Sequence, residues 1–391
     1  MQEGEPPMDP RKRIEKVEHD RRDAGPARHH TWYRGPHTNR APKQPAMIAP
    51  TSVAEHVLKG WMPAAPAIDR QTRITAFGSC FAANISTWLG KRNYRVSAKD
   101  PDAQAAYVVS IGEGMVNSFV IRQQFEWAWE GRTFDQPLWH GYDASEFGYD
   151  ESVRRATQRL FDATDVFILT FGLSEVWYDA PTGEVFWRTI PKDAYDPERH
   201  RFRVSSVEEN RDNIAAIVRL IRTHRPGAKV IMTLSPIPLI ATFRDNSCIT
   251  SNAVSKAVLR VAIDETMRAE QEAGDVFYWP SYEIVTDVFR SPYKADRRHL
   301  PAPVLDFVMT QFEHAWCIDE GARPPLDRAW VLALSAAGIL PRRIGRFVQK
   351  GALDRIEAWA GKDLDEDPEV NEALQRLLHD FLEGEAARKA A

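Results

Sequence analysis

The stretch Ile74-Thr75-Ala76-Phe77-Gly78-Ser79-Cys80-Phe81-Ala82 decides the fold. Its apolar half has strand composition and stops at Gly78. A helical pattern opens at Phe81, with Ile85, Trp88 and Leu89 at helical spacing. A strand that breaks at glycine and turns directly into a helix puts the turn at the carboxyl edge of a sheet. There a side chain is exposed, and the helix N-terminus favours negative charge. Ser79 and Cys80 fill that turn. A thiol so placed is either an activated nucleophile or a small hydrophobe that fills the corner.

Working outward, the same alternation repeats. Apolar runs at 73–77, 106–111, 166–171, 229–234 and 276–279 predict strands. Helical spacing predicts helices over 81–91, 118–130, 208–223, 251–273 and 302–314. Strands alternating with long helices imply an α/β fold, a three-layer α/β/α sandwich around a mostly parallel sheet. Residues 131–150 and 178–206 break the rhythm, and Glu184-Val185-Phe186-Trp187-Arg188 suggests a β-hairpin insertion that roofs a site. Residues 1–45 are polar and rich in Pro, Arg and His, and read as a disordered or loosely packed arm. The main domain is predicted over 46–325. Residues 326–391 carry only helical patterns, a C-terminal extension that either packs on the body or offers a partner surface.

The 391 residues carry a net charge of −4, which gives no support to a nucleic-acid surface. Three cysteines, Cys80, Cys248 and Cys317, make neither a disulfide framework nor a zinc motif. No signal peptide is legible and no apolar run has membrane-spanning length, so a cytoplasmic protein with reduced thiols, off the membrane, is expected. Most of the twelve tryptophans read as core.

Two further elements bear on chemistry. Asp296-Arg297-Arg298-His299 precedes a helix. An aspartate three residues before a histidine on a loop lets both face one point, with His299 as general base and Asp296 fixing its tautomer, or else caps the helix. Thr170-Phe171-Gly172-Leu173-Ser174-Glu175-Val176-Trp177 ends the most hydrophobic strand. Ser174 can donate toward an oxyanion, or cap a following turn. Glu175 and Trp177 beyond it are candidates for substrate contact. Arg244 is another, or half of a structural ion pair. All these elements fall where a parallel sheet places ligands, beyond the carboxyl ends of its strands.

Gly78-Ser79-Cys80-Phe81-Ala82 resembles the signature of the GSCFA-domain family, which is grouped with the SGNH (GDSL-like) hydrolases. The resemblance extends over roughly residues 30–318, through Asn117–Trp129, Ser235-Pro236-Ile237-Pro238, Ser255–Arg260 and Pro280-Ser281-Tyr282-Glu283. It implies acyl-ester chemistry. Aligned on Phe77-Gly78, Cys80 stands where the wider group has its nucleophilic serine, and Ser79 where it has aspartate. Gly114, with Gly112 as competitor, matches the second block's oxyanion amide. Gly172-Leu173-Ser174-Glu175 matches the third block with two substitutions, so that Ser174 replaces an oxyanion asparagine. Asp296 and His299 match the last block in full. The departures leave three readings: a Cys–His–Asp enzyme, an enzyme using Ser79, or a fold with weakened chemistry. The resemblance implies an esterase or acyltransferase that needs no metal or organic cofactor, acting on a small-molecule or carbohydrate ester. The alternative is a non-catalytic glycan-binding or assembly module. Oligomeric state and substrate are not legible.

Overall fold

The computed structural model describes residues 14–18, 30–34, 39–111, 114–141, 143–270, 273–318 and 323–390. In chain order its elements begin with strands β1 (Ile14–Glu18) and β2 (His30–Arg34) and helix α1 (Ser52–His56). There follow β3 (Arg73–Phe77), α2 (Cys80–Lys91), β4 (Arg95–Val96), α3 (Tyr107–Ser110), α4 (Ser118–Phe125) and α5 (Glu151–Ala163). Next come β5 (Val166–Phe171), the pair β6 (Glu175–Asp179) and β7 (His200–Val204), α6 (Val207–His224) and β8 (Lys229–Leu234). The domain closes with α7 (Cys248–Glu270), β9 (Val276–Tyr278), α8 (Ser281–Val288) and α9 (Ala302–Trp316). The last helices are α10 (Leu326–Ala336), α11 (Arg342–Lys350), α12 (Leu353–Glu357) and α13 (Pro368–Ala390).

The central sheet has the order β4-β3-β5-β8-β9, and every neighbouring pair is parallel. From β3 the chain moves outward to β4, then returns across β3 to lay down β5. The direction of winding therefore reverses between β3 and β5, and the connections leaving their carboxyl ends diverge. In a doubly wound sheet that divergence opens the ligand crevice.

Strand β5 shows why the sheet is covered on both faces. All six of its residues are buried. Val166 and Ile168 enter one core with Phe81, Ile85 and Leu89 of α2 and Phe307 of α9. Phe167, Leu169 and Phe171 enter another with Phe125 of α4, Ile217 of α6 and Leu259 of α7. Alternation at period two sends successive side chains to opposite layers. The architecture is thus the expected α/β/α sandwich.

Helices α10 to α13 join the first core through Trp330, Ile344, Leu374 and Phe381. The Trp330 Nε1–H donates to the Ile48 carbonyl at 2.6 Å, while Arg388 ties α13 to α10 through Asp327 at 2.8 Å. The C-terminal extension therefore packs on the body. The predicted arm at 1–45 lies mostly outside the described residues. Within it, β1 and β2 pair antiparallel.

Three local expectations are corrected. Residues 106–111 hold helix α3 rather than a strand. The edge of β3 is already taken by β4, and the Val109 and Ser110 N–H groups both donate to the Ala106 carbonyl. Helix α4 ends at Phe125 and widens into a π turn over Glu126–Glu130. The hairpin insertion exists, but its strands are β6 and β7. The segment 184–188 lies against it through a single Tyr178–Val185 bridge.

Candidate active site

Gly78 sets the corner. Its φ is +129°, and a Cβ there would fall 2.2 Å from the Thr170 carbonyl oxygen. The glycine lets β3 and β5 approach at their carboxyl ends, where the Ser79 N–H donates to Thr170 Oγ1 at 2.6 Å. Ser79 is the N-cap of α2: its Oγ accepts from the Phe81 N–H at 3.2 Å and from the Thr170 hydroxyl at 2.9 Å. It is buried and occupied by capping. Cys80 is the first residue of the helix, half-buried, and lines the crevice.

The crevice is a cleft of about 520 Å³. Besides Cys80 and the edge of Ser79, it is lined by Gly114, Asn117, Glu175, Trp177, Arg298 and His299. Its wall is apolar and aromatic. Trp177 meets Phe243 edge-on with ring centres 4.9 Å apart, and Phe202 lies 5.5 Å from Phe243. Phe186, Leu239 and the exposed Ile240 continue the surface.

Asp296 and His299 form the expected pair. The Asp296 Oδ2 lies 2.6 Å from His299 Nδ1, and its Oδ1 accepts from the backbone N–H groups of Arg298 and His299, each at 3.0 Å. The His299 contact, together with those two N–H groups, holds the Asp296 carboxyl down at about 2. Arg297 takes a left-handed φ of 56° to bring the pair round. The His299 side chain stays 56% exposed, so the ring is open to the cleft it lines.

The segment 114–117 is docked by β5. Gly172 and Leu173 N–H groups donate to the Val116 carbonyl at 2.7 and 3.3 Å, and a Cβ on Gly172 would touch Val116. This brings Gly114 and Asn117 to the cleft beside Cys80. Gly114 also leaves room for a neighbour, since a Cβ there would fall 2.0 Å from Arg188 Nη2.

Two expected contacts are not found at the cleft. Ser174 is fully buried and absent from the lining, though Leu173 and Glu175 on either side belong to it. Its N–H donates to Ser255 Oγ and its carbonyl accepts from Ser205, which turn it toward α7 and the end of β7. Arg244 likewise lies outside the lining. Glu175 does line the cleft, with its carboxylate accepting from the Thr242 hydroxyl at 2.8 Å.

Two residues escaped sequence reading. Asn117 caps α4, its Oδ1 accepting from the Val120 N–H at 3.0 Å. It also lines the cleft at 2% exposure, and its Nδ2 has no hydrogen-bond partner among the described residues. Lys256 of α7 is buried at 2% exposure. Its ammonium donates to the carbonyls of Gly172, Ser235 and Ile237 at 2.7, 2.8 and 2.8 Å. It thereby ties the exits of β5 and β8 together under the cleft. The available signal was its place on the apolar stripe of α7 with Leu259 and Ile263, at spacings of three and seven.

Cys317 is buried, and burial pushes its thiol up to about 12, so it is inert. Cys248 sits at the start of α7 with its sulfur 3.8 Å from the Leu239 carbonyl. Among the described residues, His379, Asp380 and Glu383 alone are close enough together to hold a metal ion, and they are exposed on α13. No helix among the described residues is long and apolar enough to cross a membrane.

A search of curated proteins finds no match to the chain. Comparison with protein-family models matches residues 73–312 to the GSCFA family. That span runs from the first residue of β3 into α9 and takes in Cys80, Asn117, Lys256, Asp296 and His299, so the chain belongs to the GSCFA family.

Proposed function

We propose that the chain is an acyl-ester hydrolase or O-acyltransferase with Cys80 as nucleophile, and that it falls within the wider SGNH group. The observation that carries this reading is the convergence on one cleft of a thiol at a helix N-terminus and a histidine held by aspartate. Cys80 attacks the ester carbonyl and forms a thioester. His299 takes the thiol proton and returns it to the leaving alkoxide. Asp296 holds the ring in the tautomer that makes this transfer possible. Water or an acceptor hydroxyl then gives its proton to His299 and attacks the thioester carbonyl, and the departing Cys80 sulfur takes that proton back. None of these steps calls for a metal or organic cofactor.

Ser79 is the weaker nucleophile on this account, because its oxygen is engaged by Phe81 and Thr170. The oxyanion donors are the backbone N–H groups of Cys80 and Gly114 with the Asn117 amide, which takes the part expected of Ser174. The apolar wall of Trp177, Phe202 and Phe243 suits the acyl group. An O-acylated carbohydrate is the proposed substrate by analogy with the fold group, and the cytoplasm the proposed location.

The displacement of Ser174 from the cleft favours a second reading, a glycan-binding module that stacks sugars on the same aromatic wall. One experiment separates the two: assay short-chain p-nitrophenyl esters with wild type, Cys80→Ala, Ser79→Ala and His299→Ala. The enzyme reading expects turnover that falls at least about 100-fold in Cys80→Ala and in His299→Ala. Glycan affinity without turnover in any form would support the binding module.

A further inference from the structure

We propose that the buried Lys256 ammonium is a positioning charge that holds the Cys80 sulfur as a thiolate, a role that rests on the reading of Cys80 as nucleophile.

The geometry first fixes the state of the lysine. Three carbonyl oxygens accept from one Nζ, which requires three N–H donors, and only the ammonium supplies three. A neutral amine would leave one of these buried carbonyls without its donor, which is costly in a buried site. Yet none of the acceptors is charged. A buried cation surrounded only by neutral carbonyls is costly unless an anion stands nearby.

The charged groups whose fields reach Lys256 come from two elements. Cys80, at the N-terminus of α2, favours the ammonium; Arg298, from the loop before α9, opposes it. Among the described residues, no carboxylate is one of them. Of the other charged groups lining the cleft, Glu175 accepts from Thr242, His299 is paired with Asp296, the Arg298 Nε–H donates to the Pro238 carbonyl, and Arg188 is a further cation beside Gly114. Gly172, Ser235 and Ile237, whose carbonyls hold the ammonium, line the same cleft as Cys80, so among the described residues the Cys80 sulfur is the group placed to compensate Lys256 as an anion. Burial outweighs the attraction to Cys80 and leaves Lys256 at about 7.

Attraction is mutual, so the ammonium lowers the proton affinity of the thiol that stabilises it. On ionisation the thiol S–H bond gives its electron pair to sulfur and its proton to water or to His299, and Lys256 keeps its own three protons. The N-terminus of α2 adds to the effect. The arrangement also divides the work. Lys256 is fixed by three bonds and does not touch the substrate, whereas the exposed His299 is left to move the proton to the leaving group.

The test is the rate of Cys80 alkylation by iodoacetamide across pH, read by peptide mass on the full chain. Wild type is expected to show a midpoint at or below about pH 7, against about 8.5 for an ordinary thiol. Removing His299 (His299→Ala) should leave that midpoint low. Lys256→Gln retains two N–H donors for the carbonyls but removes the charge. It should raise the midpoint by at least about one unit and slow alkylation at pH 6.5 about tenfold. An ordinary midpoint in wild type overturns the proposal, as does a shift lost in His299→Ala. A midpoint in folded Lys256→Gln equal to that of wild type does the same. Should Lys256→Gln fail to fold by circular dichroism, the wild-type and His299→Ala profiles still decide. Alkylation needs no turnover, so an inactive protein with a low midpoint would sink the ester chemistry and leave the Lys256–Cys80 pair standing.

Discussion

Gly78, Ser79 and Cys80 divide three tasks that the sequence shows only as one small-residue turn. The glycine makes room for Thr170, the serine caps the helix, and the cysteine is left facing the cleft. The left-handed φ of Gly78 and its closeness to the Thr170 carbonyl make this position intolerant of a side chain. Gly78→Ala should therefore lower unfolding free energy by about 3 kcal/mol in urea titration, and a loss under about 0.5 kcal/mol would contradict the account of the turn. At this scale the places of Cys80 and His299 at the cleft, and of Asp296 beside His299, were legible because they follow from local spacing. Ser174 was misleading because a matching block does not reveal which way one side chain turns in a buried strand exit. Asn117 and Lys256 were missed because their significance comes from contacts with segments that are distant in sequence.

Among the elements, β3, β5 and β8 were read to their end residues, since each is a mainly apolar run whose central residues are buried or nearly so on both faces. The pair β6 and β7 was not. His200-Arg201-Phe202-Arg203-Val204 alternates charge with bulk, and its partner β6 follows β5 after only three residues. This ribbon and the loop after β8 carry the aromatic wall. Phe243, 54% exposed, packs on Trp177 and Phe202 rather than on the core. Phe243→Ala should thus leave stability nearly unchanged. It should reduce kcat/KM about tenfold for a hexanoyl ester, from about 1.4 kcal/mol of lost apolar contact, while an acetyl ester is little affected. Equal losses with both esters would separate the wall from the acyl group.

Across the whole molecule, the switch in winding between β3 and β5 gathers residues 80, 117, 175 and 299 at one opening, with helices α10 to α13 closing the core on the far face. The two cores bury groups whose ionisation they oppose. Burial, chiefly, raises Cys317 from 9.0 to about 12 and raises Tyr94 and Tyr278 as well. The native state keeps these protons at a pH where the unfolded chain has released them, so their contribution is intact below the unfolded values and is lost as pH rises through the native ones. Lys256, lowered from 10.5 to about 7, acts in the opposite sense between those values and is neutral in both states above them. The urea midpoint should fall steadily above about pH 10.5. A flat or rising midpoint there would mean that these groups are not buried as described. The most direct test of the central claim is to trap the acyl intermediate: mix the protein with an activated ester, quench in acid within seconds, and map the adduct by peptide mass. The account predicts a thioester on Cys80 that accumulates in His299→Ala relative to wild type. An acyl group found on Ser79, or turnover with Cys80 unmodified in every variant, would contradict it.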